Sequence, residues 1–267
     1  MILFPNAKIN IGLSVVEKRP DGYHNIETVF YPLAVEDALE IVPSSDGDTK
    51  LHLSGITLHN NESENLVIKA YKLLAPHFQL PPLHFYLHKV IPSEAGLGGG
   101  SSDAAHTLKM LNEMFDLHIS NEKLRDFAEK LGADCPFFIE NVPVFATEKG
   151  DVFQKIELDL SHYKILIVKP PCSVSTQEAY NNIIPKKAQH FLPDALKQPI
   201  SEWKNLIFND FESFAFKKHP EIKEIKETFY AQGALYASMS GSGSAVYGIF
   251  EKDMIIPSFN YSIIHNL

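Results

Sequence analysis

The chain has 267 residues, 45% of them hydrophobic and 21% charged, the balance of a folded globular protein long enough for two domains. With 24 Lys+Arg against 33 Asp+Glu the formal net charge is -9, which excludes non-specific nucleic-acid binding through a surplus of cations. Any phosphate it holds must be met locally, by backbone N–H groups and a few placed cations.

Ala7, Ile9, Ile11, Leu13 and Val15 are apolar at period two, the pattern of a half-buried strand, with Lys8, Asn10 and Ser14 on its other face. The turn Arg19-Pro20-Asp21-Gly22 ends it, with Tyr23 and His24 in or near a loop. Residues 26–42 read as further strand, 44–50 as a turn and 63–78 as a helix with Leu66, Ala70, Leu73 and Leu74 on its apolar face. The alternating segment 83–91 runs into Pro92 and a glycine-rich loop, and 101–116 is helical by the spacing of Ala104, Ala105, Leu108, Leu111 and Phe115. A shorter helix at 121–131 precedes Gly132, which is placed to cap it. Residues 142–147 and 152–158 read as a hairpin, 163–169 as a strand, 183–200 as a long connection and 220–231 as a helix. A second Gly/Ser loop at 240–244 leads into a strand, Ala245–Phe250. Strands and helices mix without regular βα alternation, which favours an α+β fold, divided near 158–162 into domains 1–160 and 161–267.

Two cysteines, Cys135 and Cys172, with no CxxC spacing, exclude a disulfide framework and fit a reducing compartment. The N-terminal stretch is not a basic-then-apolar leader, and no window nears the ~20 apolar residues of a membrane span. A soluble, cytoplasmic protein is expected, with neither nucleic acid nor membrane among its partners and its oligomeric state open.

The loop 96–102, GLGGGSS, joins a strand to a helix. Glycines let a backbone come close to an anion, and the helix N-terminus behind them offers unpaired donors and a partial positive charge. Ser101 or Ser102 is placed to cap that helix or to offer a hydroxyl to phosphate or Mg²⁺. No lysine follows as in a Walker A loop, and Ser101 stands where the dinucleotide fingerprint needs its third glycine. The His-Arg-Asp and Asp-Phe-Gly signatures of protein kinases are absent too. His84 and His88 share a strand face without a Cys or carboxylate at ligand spacing and read as a solvated face. Asn209-Asp210-Phe211-Glu212 reads as structural.

The run PSEAGLGGGSSDAA at 92–105 resembles the second motif of the GHMP kinases, the superfamily of galacto-, homoserine, mevalonate and phosphomevalonate kinases. Its extended glycine form is similar to that of one branch, which acts on a cytidine diphosphate-linked methylerythritol. Ala7-Lys8-Ile9-Asn10, Arg19–His24, Gly132-Ala133-Asp134-Cys135-Pro136 and the 238–250 segment agree with it, in order along nearly the whole chain. The resemblance implies a two-domain α+β fold, with a ribosomal protein S5 domain 2-like N-terminal domain and a ferredoxin-like C-terminal domain. It implies ATP and Mg²⁺ as cofactors, with Pro92, Ser93, Glu94, Ala95, Gly96, Leu97, Gly98, Gly99, Gly100, Ser101 and Ser102 about the nucleotide.

Lys8 and Asp134 match the catalytic pair of that family. A carboxylate accepts the proton of an attacking hydroxyl, and an ammonium keeps it ionised and offsets developing charge. Alone, Asp134 reads as a turn-forming residue and Lys8 as solvated surface; the joint pattern lifts both. Tyr23 and His24 match the positions that hold cytosine, by stacking and by hydrogen bonding to the base edge. Tyr180 matches the opposing aromatic, and taken alone reads as a buried tyrosine. Asn10, Gly241 and Ser242 are further substrate-binding candidates, and no residue is assigned as a metal ligand. The implied activity is ATP-dependent phosphorylation of the 2-hydroxyl of 4-diphosphocytidyl-2-C-methyl-D-erythritol, in non-mevalonate isoprenoid synthesis. The alternative is another small-alcohol kinase of the superfamily, of the homoserine or mevalonate class.

Overall fold

After a two-residue strand β1 (Ile2–Leu3), the alternating segment folds as β2 (Asn6–Lys18) and returns as β3 (His24–Glu36) in the computed structural model, which describes residues 1–57, 64–255 and 263–266. Asp37 breaks the apolar run, so that β4 (Ala38–Pro43) begins a new strand, followed by β5 (Lys50–Gly55). The helix expected over 63–78 is α1 (Leu66–Phe78), started by Asn65, whose side chain accepts the Val67 N–H at 2.9 Å. Residue 63 lies outside the described residues. The chain continues through β6 (Leu83–Lys89), α2 (Gly99–Met114), α3 (Asn121–Glu129), α4 (Phe137–Glu140), the hairpin β7 (Val144–Thr147) and β8 (Val152–Lys155), and β9 (Tyr163–Val168). The C-cap of α3 is Lys130 rather than the expected Gly132, which follows two residues later, outside the left-handed region, with its N–H bonding Ala128 O at 3.2 Å.

The last third holds more helix than its sequence pattern announced: α5 (Thr176–Asn181), α6 (Leu192–Ala195), α7 (Trp203–Leu206), α8 (Glu212–Lys218) and α9 (Pro220–Ala231). The short ones have too few turns to show a period. Strands β10 (Tyr236–Met239), β11 (Val246–Glu251) and β12 (Ile263–Asn266) complete an α+β chain.

Two compact units are interleaved along the sequence. The first comprises Met1–Ala7, Val35–Ser93 and Gly98–Val142. Its sheet runs β1-β4-β6-β5, with β5 parallel to β6 and the other pairs antiparallel. In the same unit α1 packs on α2, and α2 on α3 and α4. The second unit comprises Lys8–Ala34, Glu94–Leu97 and Pro143–Leu267, and holds the sheets β2-β3-β7-β8 and β10-β11-β9-β12.

Packing therefore does not divide at one point near residue 160. Leu13, Val15 and Ile26 are buried in one cluster with Leu166, Val168, Phe211, Phe229 and Val246, which carries the first hairpin into the second unit. Two burial expectations are corrected as well. The lysine face of β2 is buried rather than half-solvated, with Lys8 and Asn10 each 3% exposed. His84 is buried rather than solvated: Asp46, from the β4–β5 turn, meets its Nε2 at 3.1 Å, a partner 38 residues away.

Candidate active site

In the second unit the polar face of β2 carries a connected set of hydrogen bonds. Lys8 Nζ donates to Asn10 Oδ1 at 2.5 Å and stands 4.8 Å from the centre of the Phe30 ring. Two residues apart on a strand, the two side chains share a face, and the amide fixes the ammonium's direction. Asn10 Nδ2 in turn donates to Thr28 Oγ1 at 3.0 Å on β3. The backbone of Asn10 is held from the other end of the chain: its N–H donates to Ser240 Oγ at 3.1 Å, and Tyr247 Oη donates to its carbonyl at 3.0 Å.

The same strand meets the first part of the glycine-rich loop. Lys8 N–H donates to Leu97 O at 2.9 Å, Ser240 Oγ to Gly96 O at 2.8 Å, and Ala245 N–H to Ala95 O at 3.1 Å. Gly96 sits at φ +74, and a Cβ there would fall 1.9 Å from Ser240 O, so only glycine allows this approach. Gly241 packs less tightly, its missing Cβ 3.1 Å from Asn10 Oδ1, and sits at φ +56. Lys8, Asn10, Gly96 and Gly241 are thus brought together. Ser242 is half-buried and pairs its hydroxyl with that of Thr176 at 2.9 Å. Asn209 braces this loop, donating to Met239 O and Gly241 O, both at 2.8 Å, in keeping with a structural part for its segment.

The rest of the loop belongs to the first unit. Gly98, at φ 71, is the N-cap of α2 and offers no side-chain cap, so the first N–H groups of the helix are left for another acceptor. An anion fits such an end, where donors and the helix dipole point the same way. Gly100 has only Leu66 Cδ1 near its missing Cβ, at 3.7 Å, which leaves the approach to the helix start unobstructed. Ser102 is fully buried, its Oγ 3.3 Å from His106 Nδ1, while Ser101 is half-buried. Pro92 is half-buried, and Ser93 and Glu94 are exposed.

A buried ion cluster that no motif announced anchors this loop. Lys89, at the end of β6, pairs with Asp37 and, at 2.7 Å, with Asp103 of α2. Asp37 Oδ1 also accepts the Val90 and Ile91 N–H groups at 2.6 and 2.8 Å. One ammonium does not neutralise two buried carboxylates. Burial pushes the Asp103 carboxyl up to about 7, with Lys89 pulling it down and Asp37 pushing it further up. A lysine closing an apolar strand and an aspartate breaking an apolar run were the available signals.

Asp134 lies in the first unit, half-buried in the turn before α4, where Cys135 N–H donates to Gly132 O at 3.1 Å. Cys135 beside it is buried and close to Ser101; burial, chiefly, pushes its thiol up to about 12.

In the second unit His24, which opens β3, stacks on Tyr180 of α5 with ring centres 5.0 Å apart and planes 21° from parallel. Phe211 meets the Tyr180 ring edge-on at 4.9 Å. A base between two rings needs two contact spacings, about 7 Å in all, so His24 and Tyr180 as they stand have no layer between them. Tyr23 is 64% exposed, with Lys149 Nζ 5.6 Å from its ring centre. Burial, then the charge of Lys18, lowers the His24 pKa.

Residues 65–141 match the family described as GHMP kinases N terminal domain, and residues 191–255 that described as GHMP kinases C terminal. The chain is 55% identical to the 4-diphosphocytidyl-2-C-methyl-D-erythritol kinase of Bacteroides thetaiotaomicron, over 98% of this chain and 96% of that one. A crystal structure of 4-(cytidine 5'-diphospho)-2C-methyl-D-erythritol kinase superposes with a TM-score of 0.80 at 32% identity, covering 93% of this chain and 90% of that one. A crystal structure of mevalonate kinase shares the fold alone, with a TM-score of 0.69 at 15% identity over 95% of this chain and 92% of that one.

Proposed function

The chain belongs to the GHMP kinases, and from that premise we propose that it transfers the γ-phosphoryl group of ATP to the 2-hydroxyl of 4-diphosphocytidyl-2-C-methyl-D-erythritol. The step lies in the non-mevalonate, methylerythritol phosphate route to isoprenoid precursors. The observation that carries the reading is identity above half, along nearly the whole chain, to a relative named for this substrate. The buried Lys8–Asn10–Thr28 set and the uncapped start of α2 support it chemically. The matched segments fall on either side of residue 160, which supports family domains over 1–160 and 161–267.

In this reading Asp134 accepts the proton of the attacking hydroxyl, and the Lys8 ammonium, aimed by Asn10, offsets charge as it develops. The N–H groups of Gly98 to Ser101 hold the phosphates, with 92–97 and Ser102 shaping the loop. A Mg²⁺ ion at this loop would supply neutralisation of the phosphate charge. Ser101 is the hydroxyl placed to meet it, since Ser102 is turned inward to His106. The exposed Tyr23 stacks on cytosine and His24, itself stacked on Tyr180, reads its edge, with Tyr180 as the opposing aromatic. Asn10, Gly241 and Ser242 face the methylerythritol end. We place the enzyme in the cytoplasm, on its two free cysteines; among the described residues no helix is long and apolar enough to cross a membrane.

Inhibition by CMP tests the substrate site. CMP is expected to compete with the cytidine substrate and not with ATP, and to lose potency in Tyr23→Ala. Competition with ATP, or no inhibition, would remove the cytidine pocket from Tyr23 and His24.

A further inference from the structure

Three side chains that this reaction does not use come together in the second unit. Cys172 follows β9 and the Pro170-Pro171 step, His219 is the N-cap residue of α9, and Glu221 is the second residue of that helix. A thiol sulfur, an imidazole nitrogen and a carboxylate oxygen, one from each, lie within 4.8 Å of one another. His219 Nδ1 stands 3.7 Å from Glu221 Oε1, and the ring's other nitrogen, Nε2, is buried with no hydrogen-bond partner. All three residues are half-buried, enclosed enough to hold an ion and open enough to admit one.

Sulfur, nitrogen and oxygen in one cluster are a selective donor set. Hard cations such as Mg²⁺ take oxygen ligands, whereas Zn²⁺ takes thiolate, imidazole and carboxylate alike. At zinc bond lengths of about 2.0–2.3 Å, tetrahedral donors stand roughly 3.3–3.8 Å apart. With every separation within 4.8 Å, no pair needs to close by more than about 1.5 Å, a rotamer adjustment for half-buried side chains.

We propose that Cys172, His219 and Glu221 bind a divalent cation of the zinc class, with three protein ligands and the fourth position open to water. On binding, the S–H bond breaks and a sulfur–metal bond forms, with the proton leaving to solvent; the imidazole enters neutral and the carboxylate ionised. Occupancy is felt at the second Gly/Ser loop, because Ser244 Oγ donates to Cys172 O at 2.6 Å. Lys169 Nζ donates to the same carbonyl, also at 2.6 Å.

The test is titration of the full, nucleotide-free chain with Co²⁺ alone and then Zn²⁺ alone. One equivalent of Co²⁺ is expected to give a sulfur-to-metal charge-transfer band and the intense visible bands of a tetrahedral site, both abolished by one equivalent of Zn²⁺. Cys172→Ser is expected to lose the charge-transfer band, and Cys135→Ser to keep it. His219→Ala is expected to weaken Zn²⁺ binding tenfold or more. Absence of the band in the parent chain, or its survival in Cys172→Ser, overturns the proposal. Should Cys172→Ser fail to fold, His219→Ala decides alone: unchanged Zn²⁺ affinity in that variant is equally fatal.

Discussion

Replacing Lys89 by Met removes the cation that bridges Asp37 and Asp103, two carboxylates that are almost completely buried. Breaking a buried pair by deleting one partner costs about 3–5 kcal/mol, because the other charge is left uncompensated. At about 2.1 cal/mol/K of unfolding entropy per residue, a 267-residue chain melting as one loses roughly 5–9 °C of Tm, and more if the first unit melts separately. The loss depends on pH with a definite sign. The Asp103 carboxyl is raised from 3.8 to about 7 on folding, so the folded state holds the extra proton across that window. Its stabilisation is complete below 3.8 and is lost as pH rises through about 7. Without Lys89 the two carboxylates repel unopposed, so the deficit in Tm grows from pH 6 to pH 8. Asp103→Asn added to Lys89→Met recovers most of it, leaving one buried carboxylate on two backbone N–H groups. Calorimetry of the parent, the single and the double variant at both pH values reads all of this. A Lys89→Met melt within about 2 °C of the parent at pH 8, or a larger deficit at pH 6, would refute the reasoning.

Three further outcomes are expected. Asp134→Asn lowers kcat by about 10²–10⁴ with little change in Tm, and near-normal turnover would remove it as the base. Tyr23→Ala raises KM for the cytidine substrate by roughly 5- to 150-fold while KM for ATP stays within about threefold; equal effects on both would place Tyr23 elsewhere. Gly96→Ala, whose Cβ would fall 1.9 Å from Ser240 O at a φ of +74, costs more than about 2 kcal/mol, whereas Gly100→Ala, with its nearest contact at 3.7 Å, gains about 0.5–1 kcal/mol; melts in the opposite order would contradict the geometry.

What the sequence revealed was local or motif-borne. Lys8 and Asn10 share a strand face because side chains alternate, and period two placed both before any contact was known. The helix expected over 220–231 is α9, Pro220–Ala231. Long-range partners were not legible in this way. Asn10 is held by Ser240, 230 residues away, and Lys89 by Asp37, 52 away, pairings that no periodicity encodes. The burial of Lys8 follows from those partners, since an isolated alternating strand predicts a wet polar face. The burial of His84 is not legible in strand spacing for the same reason, because its carboxylate comes from a turn that strand spacing does not reach. The 5.0 Å stack of His24 on Tyr180 is likewise a partnership that no spacing encodes.

The most direct test of the assigned activity is coupled detection of ADP release with 4-diphosphocytidyl-2-C-methyl-D-erythritol, mevalonate and homoserine as acceptors, compared by kcat/KM. Turnover confined to the cytidine-linked alcohol, with the new phosphate on its 2-hydroxyl, is the predicted result; faster phosphorylation of mevalonate or homoserine would contradict it.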